Sequence, residues 1–255
     1  MNNNPIGVFD SGMGGLSVWQ TLQQTLHNES LVYLGDGLRC PYGDRSAEEI
    51  FRFTVEAVER LREEGCKLIV IACNTATAVA IERLRTAYPD TPFVGLEPAV
   101  KPAAEASQTG KIAVLATRKA LEGELFLRTS SKFADRVQII KAVGEGFVEL
   151  VEQDMEHSDE ALYRVKSVIE PLVEQGVDYI VLGCTHYPFL RDAIEQVVGD
   201  RPVQIVDSAA AIERRVEYLL DMHHLRADDD NVPQYRFLSF ADDDYIASLR
   251  KKAFG

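Results

Sequence analysis

The residues of this sequence most open to proton-transfer chemistry are its four cysteines, Cys40, Cys66, Cys73 and Cys184. Two of them close apolar runs in the same way: residues 70–79 read VIACNTATAV and residues 181–190 read VLGCTHYPFL. Cys73 and Cys184 therefore each end a strand-like run, with polar residues after them where a helix should begin. A helix N-terminus favours a thiolate and lowers a cysteine pKa from its usual value of about 8.5. Taken alone, either thiol reads more readily as a buried packing residue than as a catalyst. Taken together, they fit a reaction that removes a proton from one face of a carbon and adds one to the other. One sulfur starts as the base and the other as the acid. Cys66 precedes its run, at the opposite end, and reads as structural; Cys40 lies in a loop beside Pro41 and stays open. None of the four forms a CxxC pair, and no Cys/His spacing resembles a zinc site, so no metal is expected.

The elements that must position these thiols follow from the hydrophobic pattern. Short apolar runs fall at 6–10, 31–36, 68–73, 93–98, 112–117, 137–142, 179–184 and 203–208, with a last candidate at 235–240. Amphipathic segments separate them, which is the βα signature of a parallel sheet. Two of these segments, AEEIFRFTVEAVERLREEG and DEALYRVKSVIEPLVEQG, end in glycine, an expected helix stop. The first eight runs divide into two sets in the same order. EGCKLIVIACNT aligns with QGVDYIVLGCTH, IGVFDS with IAVLAT, and GLEPAV with IVDSAA, so Cys73 falls on Cys184 and Ser11 on Thr117. The pattern is that of an internal duplication.

The fold expected is α/β, with two similar domains of mostly parallel sheets flanked by helices. The first domain is expected to take in residues 1–97 plus 208–255, and the second residues 98–207. The segment EPAVKPAAEASQTGK marks the first crossing, and DSAAAIERRVEYLL starts a helix beyond the eighth run. The acidic stretch RADDDNVPQ reads as an exposed loop without chemistry.

Ligands of open parallel sheets bind at the carboxyl ends of the strands, and the other strand ends are polar too. FDSGMGGLS places Asp10 and Ser11 before glycines that let backbone N–H groups approach a ligand, although Asp10 also reads as a helix cap. LGDGLRCPYGDRS places Asp36 at a strand end and Tyr42 and Gly43 in a turn. Asn74, Thr75 and Thr185 supply neutral donors suited to carboxylates, and His186 stands where it can polarise Cys184. A rival reading takes Gly12-x-Gly14 and Asp36 as a dinucleotide fingerprint. Against it, Ser17 occupies the place of the third glycine, and Asp10 would crowd a pyrophosphate. Pyridoxal phosphate needs a lysine, and only Lys141 lies near a strand's carboxyl end.

The 255 residues carry a net charge of −13, which disfavours nucleic acid and anionic membranes as partners, because no basic excess is present to neutralise phosphates. A small anion needs only local donors. The N-terminus MNNNPIGVFD shows no signal-peptide pattern, and no apolar run approaches the roughly 18 residues of a bilayer span. A soluble cytoplasmic protein without disulfides is expected.

FDSGMGGLSV, YLGDGLRCPYGDRS, IACNTATA and GCTHYPFLRDAI together resemble the glutamate racemases of the aspartate/glutamate racemase family, as do GLEPAVKPA and IVDSAAAI. The similarity runs in order from residue 6 to about residue 220. GCTHYP and DSGMGG resemble aspartate racemases less, and the paired thiols fit the single-cysteine decarboxylases of the group poorly. The resemblance implies two α/β domains related by a pseudo-two-fold axis, with the active site in the cleft between them. It implies interconversion of L- and D-glutamate without a cofactor, supplying D-glutamate for peptidoglycan, and a homodimer. On this chain it makes Cys73 and Cys184 the acid/base residues, assisted by Asp10 and His186. Ser11, Tyr42, Gly43, Asn74, Thr75 and Thr185 match substrate contacts, as do Asp10 and His186. A helper carboxylate is expected in GEGFVELVEQ, where Glu149 and Glu152 are available and Glu152 is preferred. Thr117 is a further possible donor. A two-lobed module that binds an acidic amino acid without turnover is the alternative of another class.

Overall fold

The computed structural model describes residues 2–255. Its strands are β1 (Ile6–Asp10), β2 (Leu31–Gly35), β3 (Leu68–Ile71), β4 (Phe93–Gly95), β5 (Lys111–Ala116), β6 (Gln138–Val143), β7 (Tyr179–Leu182), β8 (Gln204–Val206) and β9 (Tyr235–Ser239). They form two sheets in the orders β4-β3-β1-β2-β9 and β6-β5-β7-β8, with every pairing parallel. Reversed, the second order is β8-β7-β5-β6, so β5 to β8 repeat the arrangement of β1 to β4. The strand β9 adds an edge to the first sheet beside β2. The chain divides into two compact units, one ending at Leu96 and resuming over Ala209–Gly255, the other Glu97–Ser208.

The central strands β1, β3, β5 and β7 are apolar through their middles because helices cover both faces of each sheet. In β5, Ala113 and Leu115 enter a core with the helices Phe147–Glu152, Asp159–Glu174 and Arg191–Val198. The alternate residues Ile112, Val114 and Ala116 enter another with the helices Val100–Ala106, Arg118–Glu122 and Glu124–Ser131. In the first unit, Phe9, Val32, Leu34, Ile69 and Ile71 pack against the helices Ala47–Glu63 and Asn74–Ala87. Each fully buried Leu or Ile contributes about 1.5–3 kcal/mol relative to exposure. The edge strands β6 and β8 are only partly covered.

The helices Ala47–Glu63 and Asp159–Glu174 are each followed two residues later by a left-handed glycine, Gly65 at φ 77° and Gly176 at φ 82°. No Cβ is present to oppose that turn. The chain then enters β3 and β7. Among the described residues, no helix is long and apolar enough to cross a membrane.

Both cysteine-bearing runs leave their sheets earlier than the apolar pattern predicts. The last bonds across to the neighbouring strand are Ala72 N–H to Phe9 O at 2.6 Å and Gly183 N–H to Leu115 O at 2.7 Å. Cys73 and Cys184 are the next residues, so each sulfur is carried just past its strand rather than on it.

Candidate active site

In the first unit, the chemistry collects where β1, β3 and β2 end side by side. Asp10 is fully buried, and its Oδ1 accepts the Gly12 N–H at 2.9 Å. The following helix begins at Leu16 with Gly15 as its cap, so Asp10 fixes the turn after β1 and does not cap that helix. A Cβ on Gly15 would lie 2.6 Å from the Asp10 Cβ, which is why a glycine closes this turn.

Cys73 is the N-cap of the helix Asn74–Ala87, and its Sγ accepts the Ala76 N–H at 3.4 Å. The same sulfur lies 3.5 Å from Ser11 Oγ. An amide donor and the start of a helix both favour negative charge on that atom. Asn74 and Thr75 open the helix and are buried. The Asn74 Nδ2 is buried without a hydrogen-bond partner among the described residues, a state that costs about 1–3 kcal/mol until an acceptor meets it.

The loop after β2 holds Tyr42 and Gly43 in the 3-10 turn Tyr42–Asp44. The Tyr42 hydroxyl donates to Asp36 Oδ2 at 2.6 Å, and Arg39 Nε donates to the same oxygen at 2.7 Å. Burial pushes the Asp36 carboxyl above the usual carboxylate range, and its bonds to Tyr42 and Arg39 oppose that shift. Burial, followed by the charge of Asp36, holds Tyr42 far above the ordinary phenol range, so it remains a neutral donor. Its proton is committed to Asp36.

In the second unit the corresponding strand ends carry a different set of helpers. Cys184, Thr185 and His186 follow β7 and are all buried. A 3-10 turn, Tyr187–Leu190, comes next, and the α-helix Arg191–Val198 starts only after it. Cys184 therefore lacks the helix N-cap position expected from the sequence; Pro188 and the tight turn delay the helix. Its neighbour is His186, with Nδ1 at 3.8 Å from Sγ, and the other ring nitrogen of His186 lies 2.6 Å from Glu152 Oε1.

Glu152 ends the helix Phe147–Glu152, which begins at left-handed Gly146. Phe147 packs edge-on to Tyr187 at 5.4 Å between ring centroids, tying the Glu152 helix to the turn after His186. Glu149, on the same helix, makes no such bond to the imidazole. Thr117 follows β5 and caps the helix Arg118–Glu122 by accepting the Ala120 N–H at 3.3 Å.

The predicted residues thus gather at two sets of strand ends. Asp10, Ser11, Tyr42, Gly43, Cys73, Asn74 and Thr75 lie in one unit; Thr117, Glu152, Cys184, Thr185 and His186 lie in the other. Cys66 lies at the opposite end of β3, where burial pushes its thiol up to about 12. Cys40 is partly exposed. Sequence reasoning noticed Asp36 but missed Arg39. The loop's Gly/Pro pattern marks a turn without revealing which side chains bond across it.

The family model for the Asp/Glu/hydantoin racemases matches residues 6–216. A glutamate racemase of Ectopseudomonas mendocina is 44% identical over 223 residues, covering 88% of this chain and 84% of that protein. One from Cupriavidus pinatubonensis is 42% identical, covering 99% of this chain and 91% of its own. The crystal structure of the Escherichia coli glutamate racemase, in complex with L-glutamate and the activator UDP-MurNAc-ala, superposes with a TM-score of 0.85. It is 31% identical, covering 98% of this chain and 95% of that one. The chain belongs to the Asp/Glu/hydantoin racemase family and stands among its glutamate racemases.

Proposed function

We propose that this enzyme interconverts L- and D-glutamate, with Cys73 and Cys184 serving opposite faces of one Cα. The observation that carries the reading is the pair of buried thiols, each one residue past the last bond of an equivalent strand and each with its own polar helper.

The Cα–H of an amino acid is a weak acid, because its removal puts charge beside a carboxylate that is already negative. One sulfur, as thiolate, takes the proton: the Cα–H bond breaks, an S–H bond forms, and the electron pair stays on Cα. The other thiol then gives its proton to the opposite face and becomes the thiolate. The enzyme ends in the mirror-related protonation state, ready for the reverse reaction. A positioned acid or base contributes about 10²–10⁴-fold, and donors aimed at the developing charge contribute more.

The helpers differ between the two sulfurs. At Cys73, the Ser11 hydroxyl and the Ala76 amide support the thiolate, with Asp10 bracing the turn that carries Ser11. At Cys184, the His186 imidazole faces the sulfur and Glu152 holds the ring from behind. Asn74, Thr75, Thr185 and Thr117, with the turn at Tyr42 and Gly43, provide neutral donors for the substrate carboxylates. The unpartnered Asn74 amide is the clearest of these. The product D-glutamate serves peptidoglycan synthesis in the cytoplasm, and a homodimer is the proposed assembly.

The test is incubation with L- or D-glutamate in D2O without added cofactor, following optical rotation and deuterium at Cα. Loss of rotation from both enantiomers with Cα deuteration is expected. Binding without exchange would replace the racemase with a binding module.

A further inference from the structure

The loop that carries Tyr42 and Gly43 is held from behind by the end of the chain. The Arg39 guanidinium stacks between two aromatic rings, 4.3 Å from the centroid of Phe53 and 4.6 Å from that of Phe240. From there Arg39 donates to Asp36 Oδ2, which also accepts the Tyr42 hydroxyl, and its outer nitrogen pairs with Glu56 at 2.5 Å. Two further contacts join the same segments. Ser239 Oγ donates to Gly35 O at 2.7 Å, and a Cβ on Gly37 would collide with the Tyr245 ring. Phe240 and Tyr245 follow β9, the strand outside the duplicated pattern, and both lie beyond the residues matched by the family model.

We infer that Phe240 is a positioning residue for glutamate: by clamping Arg39 against Phe53 it fixes Asp36, and through Asp36 the Tyr42–Gly43 turn. This inference rests on the reading of that turn as part of the glutamate site. The physical case is one of order. A long guanidinium side chain has many rotamers, and contact with two rings leaves it few. Asp36 is buried, and its Oδ1 has no hydrogen-bond partner among the described residues. Its bonds to Arg39 and Tyr42 therefore set the loop's conformation. If Arg39 swings out, the buried carboxylate loses a charged donor and the turn loses its anchor.

The full chain is compared with Phe240→Ala, Phe240→Tyr and Phe254→Ala. KM and kcat are measured for both enantiomers, and amide hydrogen exchange is followed across residues 36–45 without substrate. Phe254 is the control: its rings of contact are Trp19, Tyr235 and Phe237, in the same C-terminal packing. Phe240→Ala is expected to raise KM roughly tenfold, with kcat changed less, and to speed exchange across the loop. Phe240→Tyr is expected to restore both, and Phe254→Ala to alter neither. Unchanged KM and exchange in Phe240→Ala, or equal effects from Phe254→Ala, would overturn the inference. If Phe240→Ala does not fold, Arg39→Lys keeps the charge but loses the stacked plane, and an unchanged KM there overturns it equally. A wild-type chain that leaves glutamate untouched would defeat the racemase reading instead, while the exchange comparison still decides whether Phe240 orders the loop.

Discussion

Glu152 Oε1 lies 2.6 Å from His186 Nε2, while the opposite nitrogen of the same ring faces Cys184 Sγ at 3.8 Å. The carboxylate therefore reaches the sulfur only through the imidazole. Glu152→Gln keeps the shape and removes the charge that orients and supports the ring. Its kcat is expected to fall roughly ten- to a hundredfold, less than loss of an acid or base itself. Glu149→Gln, on the same helix, should stay close to wild type. Polarimetry on both variants checks this, and equal losses would deny Glu152 a special place.

Each cysteine is required in a two-thiol mechanism. Cys73→Ala or Cys184→Ala should reduce racemisation by at least about 10²–10⁴-fold with the circular dichroism of the folded chain preserved. Each variant retains one thiol, so each should still eliminate a leaving group at Cβ from one enantiomer of a glutamate analogue. The two variants are expected to choose opposite enantiomers. If both process the same one, the sulfurs do not face opposite sides of Cα.

On the proposed reading, Asn74 holds a buried donor for the substrate at a cost in stability. Its Nδ2 is buried with no partner among the described residues, and removing such a group relieves a desolvation penalty of about 1–3 kcal/mol. Asn74→Ala also places a better helix former in the first turn. Thermal unfolding of the variant should occur at or above the wild-type temperature, while KM for glutamate rises roughly tenfold. A large drop in unfolding temperature would mean that the amide is structural.

Cys66 gives the fold a sensitivity to alkali. Burial raises its thiol to about 12. The folded state thus keeps its proton over a range where the unfolded chain has lost it. Stability from this group is intact below pH 9 and drains away as pH climbs through the folded value, at up to about 1.4 kcal/mol per pH unit. In urea unfolding between pH 9 and 12, Cys66→Ala should show a shallower decline. An identical slope would remove Cys66 as a cause.

Much of this protein can be read from its sequence because period and punctuation are local properties. Apolar runs covered on both faces stand out as strands, and Gly65 and Gly176 stop their helices because a left-handed turn wants no Cβ. The duplication aligns Cys73 with Cys184 from the order of the letters alone. Their surroundings were not local in the same sense. That Cys73 caps a helix while Cys184 precedes a 3-10 turn depends on how Pro188 and the packed Tyr187 shape the chain after β7.

Side-chain partners between distant segments were decided by tertiary structure alone. Glu149 and Glu152 sit on one short helix and differ little as sequence; the packing of Phe147, Leu150 and Val151 in the core with Tyr187 goes with Glu152, not Glu149, meeting His186. Arg39 had no visible role until β9 paired with β2 and carried Phe240 against it. The sequence by itself determined the strands, the helices and the two thiols, because backbone preference and hydrophobic period act over a few residues. Which polar atom meets which required the whole chain to be folded, because a hydrogen bond is fixed by a fraction of an ångström and not by spacing along the chain.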